Sequence, residues 1–330
     1  MENRKKDHIN LAFQSQTSKD MLDNRFNYEP MLAAHPNGLK PFLFLRKIFR
    51  APLWVSSMTG GTELARKINQ NLAAACKEFG FGMGLGSCRV ILDDNTHFAD
   101  FDMRDIIGND LPFYANLGIC QVEQLLENNK PEKIVELVKR LRADGLIVHV
   151  NPIQEWIQPE GDRIKYPPIN TIKKLLDKVQ FPLIVKEVGQ GIGPVSLWDL
   201  LKLPIEAIEF GAFGGTNFAE VERLRDSSAN HLLIEPLSKV GEDAYQMLEN
   251  INHLFNEEKN ILCKQIIISG GIKSFLDGYY LLQKSLFPAV NGQASSFLRF
   301  AKEDYEQLQS YISAQIKGLE MASAYLRIKQ

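Results

Sequence analysis

Eight short apolar runs recur along this chain, each followed by a polar or glycine-containing turn and, between several of them, a helical pattern. They occupy residues 53–57 (LWVSS), 79–83 (FGFGM), 112–116 (PFYAN), 145–149 (GLIVH), 182–186 (PLIVK), 207–210 (AIEF), 265–269 (QIIIS) and 289–292 (AVNG). Their starts lie roughly 25 to 37 residues apart, the length of one βα unit, except for an interval of nearly 60 between the sixth and seventh runs. This spacing predicts an α/β fold.

Helices are predicted between several of these runs, where apolar residues repeat at i, i+3 and i+4. The clearest cover residues 62–79, 131–143 and 169–179. The long interval contains the segment HLLIEP at residues 231–236. We interpret that segment as part of an insertion and not as a ninth strand, because Pro236 ends the apolar run.

Eight strands that alternate with helices are typical of a (β/α)8 TIM barrel, for which about 250 residues is usual. In this chain of 330 residues, the prediction leaves an N-terminal extension at residues 1–50 and a single barrel domain at residues 51–330. The barrel domain would contain an insertion around residues 215–260 and a C-terminal helix from about Lys302. A doubly wound sheet is the alternative, but its usual G-x-G-x-x-G fingerprint is replaced here by MTGGT at residues 58–62.

Composition and charge narrow the functional classes. Lys and Arg number 38 against 40 Asp and Glu, so no basic excess attracts nucleic acid or an anionic membrane. The four cysteines form no C-x-x-C pair, which argues against a structural zinc site and a disulfide framework. The N-terminus lacks a signal-peptide core, and no apolar run reaches the roughly 18 residues that cross a bilayer. We therefore expect a cytoplasmic protein with a small-molecule partner.

Polar and glycine residues gather at the carboxyl end of almost every run, and in a barrel these ends meet on the face where the chemistry is done. Loops after strands 7 and 8 commonly bind phosphate, because glycines let backbone N–H groups approach the oxygens. Here those loops read SGG at residues 269–271 and GQAS at residues 292–295. They predict a site for a phosphate-bearing cofactor or substrate, with tight turns as the structural alternative.

Lys186 ends the apolar run PLIVK and should point into the mouth of the barrel. A buried ammonium group needs a partner, so we expect an anion or an electron-rich ring beside it. The structural alternative is an ion pair with Glu187 or Glu209.

The densest group of polar residues lies at residues 149–162, HVNPIQEWIQPEGD. Its amides can orient an oxygenated ligand, and a carboxylate beside a phosphate-bearing substrate suits Mg²⁺. The alternatives are a satisfied core histidine at His149 and solvated loop charges at Glu155, Glu160 and Asp162. The charged segment RKKDH at residues 4–8 is either a solvated tail or a lid that brings cations to a polyanionic substrate.

Taken together, these residues resemble type 2 isopentenyl-diphosphate delta-isomerase, the flavin-dependent form of that enzyme family. The resemblance runs in the family's order from residue 4 to about residue 295. Its motifs are Arg4-Lys5-x-Asp7-His8, Met58-Thr59-Gly60-Gly61, Gly86-Ser87-Cys88-Arg89, Ala115-Asn116-Leu117-Gly118, His149-x-Asn151-Pro152-x-Gln154-Glu155, Val185-Lys186-Glu187-Val188-Gly189, Gly214-Gly215-Thr216 and Ser269-Gly270-Gly271.

The resemblance implies a TIM barrel that binds FMN, uses Mg²⁺ and interconverts isopentenyl and dimethylallyl diphosphate, while NADPH keeps the flavin reduced. The implied FMN contacts are Met58, Thr59, Gly60, Ser87, Asn116, Lys186, Thr216, Gly270, Gly271, Ala294 and Ser295. The implied substrate contacts are Arg4, Lys5, Ser87, Arg89, His149, Asn151 and Gln154. Glu155 would bind the metal, and the catalytic residues would be Gln154, Lys186 and His149. The family also suggests a homo-oligomer, a tetramer or larger.

The implied reaction moves a double bond, so a proton must be added at one carbon and removed from another. Reduced flavin is a suitable proton-transfer group, and Lys186 near its ring would stabilise the anionic reduced form. We expect Glu155 to act through the metal on the diphosphate, while Arg4, Lys5 and His149 offset the remaining charge. The chain departs from the family at Cys88, where Gly or Gln is usual, and in the segments IEPL at 234–237 and SLFP at 285–288.

Two other functions compete with this interpretation. An FMN-dependent 2-hydroxy-acid oxidase also uses a flavin barrel, but it needs a catalytic His and an Arg late in the barrel, and no such pair follows residues 269–272. A regulator that binds phosphate or flavin on an idle barrel is the non-enzyme alternative. Retention of Gln154, Glu155 and Lys186 together argues against it.

Overall fold

The computed structural model describes residues 2–57, 59–225, 231–257 and 260–329. Its centre is a closed barrel of eight parallel strands in the order β10-β11-β4-β5-β6-β7-β8-β9. The barrel strands are β4 (Leu53–Val55), β5 (Gly82–Gly84), β6 (Phe113–Gly118), β7 (Gly145–Val150), β8 (Leu183–Glu187), β9 (Ala207–Glu209), β10 (Ile266–Ser269) and β11 (Ala289–Gln293). All eight predicted runs are therefore barrel strands, and the TIM-barrel prediction is confirmed.

The strands outside the barrel are β1 (Phe26–Tyr28), β2 (Phe42–Phe44), β3 (Lys47–Phe49) and β12 (Leu326–Ile328). The helices are α1 (Glu2–Leu11), α2 (Glu63–Phe79), α3 (Arg104–Ile107), α4 (Ile119–Glu127), α5 (Glu132–Arg140), α6 (Pro152–Ile157), α7 (Pro168–Leu176), α8 (Pro194–Leu201), α9 (Phe218–Arg225), α10 (His231–Leu237), α11 (Ala244–Glu257), α12 (Phe275–Lys284), α13 (Ser295–Ala301) and α14 (Tyr305–Tyr325). Three short 3₁₀ helices cover Lys19–Met21, Arg89–Ile91 and Phe98–Asp100. In the part of the chain that is described, no helix is long and apolar enough to cross a membrane.

Helix ends follow the capping signals of the sequence. Thr62 accepts a hydrogen bond from the backbone N–H of Ala65 at the start of α2, and Gly80 ends that helix in the left-handed conformation with φ 76°. Ser274 and Asp277 form a reciprocal capping box at the start of α12. These caps fix the first or last residue of each helix, and therefore also the bounds of the loops that join the helices to the strands.

The barrel excludes the doubly wound alternative, because β11 pairs with β4 and closes the sheet through Gly292↔Trp54. Its strands are apolar on both faces, since side chains fill the interior and helices cover the outside. Trp54 and Tyr114 are fully buried and meet edge to face, with ring centroids 6.0 Å apart.

The predicted segment 231–236 forms α10 and not a strand, as expected for an insertion. Pro236 lies inside this helix, one residue before its end. The predicted C-terminal helix begins at Tyr305, three residues later than expected, because the shorter α13 occupies residues up to Ala301.

The strands before the barrel close its amino-terminal end. β2 and β3 form a hairpin whose turn residues, Leu45 and Arg46, both have positive φ. Arg46 pairs with Glu206 at 2.7 Å and Lys47 with Asp144 at 2.6 Å, and both acids precede barrel strands. β1 pairs antiparallel with β12, so the beginning and end of the described chain share one small sheet.

Candidate active site

A cavity of about 320 Å³ opens at the carboxyl ends of the barrel strands. Six of the predicted FMN contacts line it. Lys186 comes from β8, Thr216 from the loop after β9, and the loops after β10 and β11 supply Gly270, Gly271, Ala294 and Ser295. Its volume lies within the range of small-molecule sites. The two predicted phosphate loops therefore border the same cavity as Lys186.

Gly270 has a steric reason to be glycine. Its φ is +93°, and a Cβ at this position would lie 2.1 Å from the carbonyl oxygen of Ala212. The loop after β9 and the loop after β10 can pack together only because this position carries no side chain. Any larger residue would push the two loops apart at the cavity wall.

Lys186 is buried and donates a hydrogen bond from Nζ to the backbone carbonyl oxygen of Glu187 at 2.8 Å. Within the described structure, no ion pair joins Lys186 to Glu187 or Glu209, so the structural alternative proposed for this lysine is wrong. The Glu187 carboxylate instead accepts N–H groups from Gly189, Gln190 and Gly191. Burial nevertheless raises the pKa of Glu187. Lys186 Nζ therefore lies at the cavity wall with a backbone carbonyl as its hydrogen-bond partner.

Several buried polar atoms at this cavity have no partner in the described protein. They are the hydroxyl oxygens of Ser56 and Ser57 and both carboxylate oxygens of Glu209. Buried polar groups in native proteins almost always have hydrogen-bond partners. These hydroxyl and carboxylate groups therefore fit a polar ligand that carries both hydrogen-bond acceptors and hydrogen-bond donors.

The strand end of β7 and the start of α6 hold a second group of predicted residues. Asn151 donates from Nδ2 to Gln154 Oε1 at 3.0 Å and to Glu155 Oε1 at 3.2 Å. Gln154 Nε2 in turn donates to Glu222 Oε1 at 3.1 Å. Gly189 and Phe218 line both the main cavity and the small cleft beside Gln154, so the two groups are adjacent.

Glu155 is buried and fixed by two donors, because its Oε2 also accepts the backbone N–H of Asp162 at 2.8 Å. Among the described residues, no cluster of three or more His, Cys, Asp or Glu side chains is placed to hold a metal ion. A hard carboxylate oxygen held in one orientation nevertheless fits Mg²⁺, which commonly takes one or two protein carboxylates and completes its shell with phosphate and water.

Asp162 connects the predicted substrate and metal residues, a role that the sequence did not indicate. Its carboxylate pairs with Arg89 at 2.9 Å and accepts amide N–H groups from Gln121 and Gln124 at 3.0 Å each. Because the Asp162 N–H also binds Glu155, one residue supports both Arg89 and Glu155.

His149 differs electrostatically from the expectation. Burial of the ring and the nearby Lys186 ammonium lower its pKa to about 3, so the imidazole is neutral at pH 7. The expectation that His149 offsets diphosphate charge is therefore wrong for the structure as described. Asn116 Nδ2 donates to the carbonyl oxygen of Leu85, so Asn116 Oδ1 is free to accept the Nδ1–H of His149 at 2.8 Å. This tautomer leaves Nε2 of His149 as an acceptor.

The remaining predicted FMN contacts do not line the described cavity. Thr59, Gly60 and Ser87 lie on the loops after β4 and β5, and Ser87 is exposed. Asn116 is buried, with its amide used by Leu85 and His149 as above. Met58 lies outside the described residues. These assignments therefore remain predictions.

Arg4 and Lys5 lie on α1, where both side chains are exposed. Within the described ranges, neither side chain forms a hydrogen bond or ion pair with another residue. The segment is helical and not extended, which the charge pattern did not indicate. Its predicted contact with a diphosphate is untested.

Two residues of the site were missed by the sequence reasoning. Glu222 is buried against Gln154, and Lys273 lines the main cavity after the 269–271 loop. Glu209, considered in the sequence only as an ion-pair partner of Lys186, lies at the cavity wall. Lys273 could have been found, because it follows the predicted phosphate loop by two residues. Glu222 could not, because only folding brings it to Gln154, 68 residues away.

A second cavity, of about 580 Å³, lies among α6, α7 and α8 and is lined mostly by apolar and proline side chains, including Ile153, Pro168 and Ile172. Of the described side chains that line it, none is a buried polar group without a partner. Of these two cavities, the first therefore carries the signal for a polar ligand.

No protein-family profile matches the chain. Curated relatives include the isopentenyl-diphosphate delta-isomerase of Rickettsia felis, which is 30% identical over 328 residues covering 96% of this chain and 90% of the relative. The protein of the same name from Synechococcus sp. is 32% identical over 324 residues, again covering 96% and 90%. That of Rickettsia akari is 34% identical over 258 residues, covering 78% and 72%.

Solved structures with a similar fold are flavin enzymes. A flavocytochrome b2 variant with bound sulfite has a TM-score of 0.61 at 12% identity, covering 95% of this chain and 77% of that chain. A mandelate oxidase variant with a monooxide FMN adduct has a TM-score of 0.55 at 11% identity, covering 93% and 88%. At this identity the likeness concerns the fold alone, and it agrees with the closed barrel.

The sequence relatives decide the family, because their identity of 30–34% extends over most of both chains. The motif order, the barrel and these relatives agree. The chain belongs to the isopentenyl-diphosphate delta-isomerase family.

Proposed function

We propose that this protein interconverts isopentenyl diphosphate and dimethylallyl diphosphate, with reduced FMN in the main cavity and Mg²⁺ at Glu155. The observation that carries the proposal is the convergence of Lys186, the glycine loops at 269–271 and 214–215, and unpartnered buried polar atoms on one cavity beside Gln154. Reduced FMN, when bound, supplies the group that exchanges a proton with the alkene.

The residues of the chain divide the remaining tasks. Lys186 places a positive charge at the cavity wall, where it stabilises negative charge on a bound ring. Gln154 is held from both sides by Asn151 and Glu222, so its amide has one fixed orientation beside the cavity. The neutral His149 presents an acceptor nitrogen and not a cation.

Charge on the diphosphate falls to other groups. Glu155 is oriented by Asn151 and Asp162 to bind Mg²⁺ together with phosphate oxygens. Arg89 is held by Asp162, and Arg4 and Lys5 add cations if α1 reaches the cavity when substrate binds. NADPH is proposed as the reductant of the flavin, and the protein is proposed to act in the cytoplasm as a homo-oligomer of four or more chains.

The test is reconstitution of the purified protein. We expect a yellow protein that releases FMN, and conversion of isopentenyl to dimethylallyl diphosphate only when FMN, NADPH and Mg²⁺ are all present. Lactate and mandelate serve as control substrates, since oxidation of either would favour the 2-hydroxy-acid oxidase alternative. A protein that takes up FMN yet leaves all three substrates unchanged would favour the regulator.

A further inference from the structure

Glu209, the last residue of β9, is the least expected group in the barrel. Its side chain is 0% exposed, and neither carboxylate oxygen has a hydrogen-bond partner in the described protein. Burying an ionised carboxylate without a partner costs several kcal/mol or more. A group this costly at the wall of the main cavity requires a compensating charge or ligand.

Lys186 is the cation nearest to Glu209 in the sheet. The two residues are register partners in the parallel pair β8–β9, and both line the main cavity. They form no ion pair in the described structure, because the ammonium group donates to the backbone carbonyl of Glu187. A lysine and a glutamate thus lie on neighbouring strands at the same level, and both side chains line the cavity.

The other groups around Glu209 are neutral or distant. Ser56 and Ser57 contribute hydroxyls to the same wall, and the neutral Ser269 hydroxyl accepts the backbone N–H of Gly211. Lys273 lines the cavity but is exposed, so solvent screens its charge. Lys186 is therefore the residue whose electrostatic effect on the cavity Glu209 can change.

We propose that Glu209 is the counter-charge of Lys186, a positioning residue that sets how strongly the ammonium group stabilises negative charge on the bound flavin. The inference rests on the proposed binding of FMN. Oxidised FMN has a neutral ring, whereas the reduced ring gains negative charge. A carboxylate beside the lysine reduces the preference of the site for the reduced form, and its removal increases that preference.

The experiment measures FMN affinity and reduction potential in the full-length protein with wild type, Glu209→Gln and Glu209→Asp. Gln removes the charge and keeps the shape, so we expect reduced FMN to bind about tenfold tighter relative to oxidised FMN, a rise of about 30 mV for a two-electron couple. Asp keeps the charge and should restore the potential. Glu206→Gln is the matched control, because it removes a carboxylate that precedes the same strand, β9, and pairs with Arg46 outside the cavity, so the potential should stay at the wild-type value.

A second comparison tests whether the effect of Glu209 on the flavin depends on Lys186. In a Lys186→Gln background, Glu209→Gln should change the ratio of the two affinities by less than about threefold, because the ammonium group on which it acts is gone. If Glu209→Gln changes the affinity ratio equally in the wild-type and Lys186→Gln proteins, Glu209 does not act through Lys186. A wild-type potential in the Glu209→Gln protein would overturn the proposal outright.

Folding is the remaining readout. Replacement of a buried unpartnered carboxylate by an amide should leave the apoprotein at least as stable as wild type. A Glu209→Gln protein that fails to fold would show that Glu209 is a structural group, and the proposal would be wrong. Failure of wild type to bind FMN overturns the proposed function, whereas normal FMN binding with unchanged potentials overturns this inference alone.

Discussion

Three carboxylates on the segment between β7 and α7 differ in what surrounds them. Glu155 is buried and held by Asn151 and by the backbone of Asp162. Asp162 is tied to Arg89 and two glutamines, whereas Glu160 is exposed and accepts a hydrogen bond from Gln158. We therefore expect a different result from substitution of each of these three carboxylates.

Glu155→Gln should sharply reduce isomerisation and raise the Mg²⁺ concentration for half-maximal activity by roughly a hundredfold, about 3 kcal/mol. An amide keeps the size of the side chain but lacks the charge that holds a hard cation beside a diphosphate. Reduction of the flavin by NADPH should persist. Assays at limiting Mg²⁺ measure the effect, and the exposed Glu160→Gln is the control. Equal activity of wild type and Glu155→Gln would remove the metal assignment.

Asp162→Asn should raise KM for the diphosphate about fivefold with a smaller effect on kcat, because Arg89 loses an anionic partner worth about 1 kcal/mol at this partly exposed position. FMN affinity should stay at the wild-type value. Steady-state kinetics and a flavin titration measure both quantities. A fall in kcat with an unchanged KM would place Asp162 with Glu155 and not with Arg89.

At the residue scale, the sequence predicted which side chains gather but not how they pair. Lys186 was expected at the cavity and lies there. Both Glu187 and Glu209 lie beside it, but the sequence does not show how Lys186 contacts each of them; the structure is needed for that. His149 was expected at the site as well, but its neutral state follows from burial and from Lys186, two facts that a linear pattern does not contain.

At the element scale, the barrel strands were predictable because each is buried on both faces and reads as a continuous apolar run. α11, with 14 residues, lies inside the segment interpreted as an insertion and was not predicted as a helix. Other missed helices are short or interrupted, since α3 covers four residues and α10 contains Pro236, which usually marks a helix end. Helices of this length are held by tertiary packing and leave no full amphipathic period in the sequence.

Helix α1 offers a test of the charged N-terminal segment. Lys5→Ala should raise KM on the order of thirtyfold, about 2 kcal/mol, if this helix reaches the diphosphate, and it should leave FMN affinity nearly unchanged. Lys6→Ala, one residue further on the same exposed helix, is the matched control. An unaltered KM in the Lys5→Ala protein would identify the segment as a solvated helix without a role in binding.

At the scale of the whole molecule, His149 couples stability to pH. Its pKa in the folded protein, about 3, lies below the ordinary value of 6.5, so the unfolded chain takes up the proton first. The contribution of His149 to stability is therefore full above pH 6.5 and is lost as the pH falls toward 3. Between pH 7 and pH 5 the loss should reach up to about 2 kcal/mol.

Denaturant unfolding at pH 7 and pH 5 measures this loss. His149→Gln should lose less stability than wild type over the interval, whatever its stability at pH 7. His253→Gln, on an exposed part of α11, should keep the wild-type dependence. An identical pH dependence in wild type and His149→Gln would show that the ring is not the group that titrates.

The pairing of β1 with β12 determines when the molecule can fold during its synthesis. Phe26 of β1 pairs with Ile328 of β12, and the barrel closes only when β11 pairs with β4. β4 can pair with β5 early in synthesis, but β11 must be made before the barrel closes, and β12 before β1 has its partner. Until then the apolar faces of a partial barrel stay open to other chains. Synthesis of β11 and β12, and not the appearance of any single βα unit, therefore limits when the barrel and the β1–β12 sheet can form.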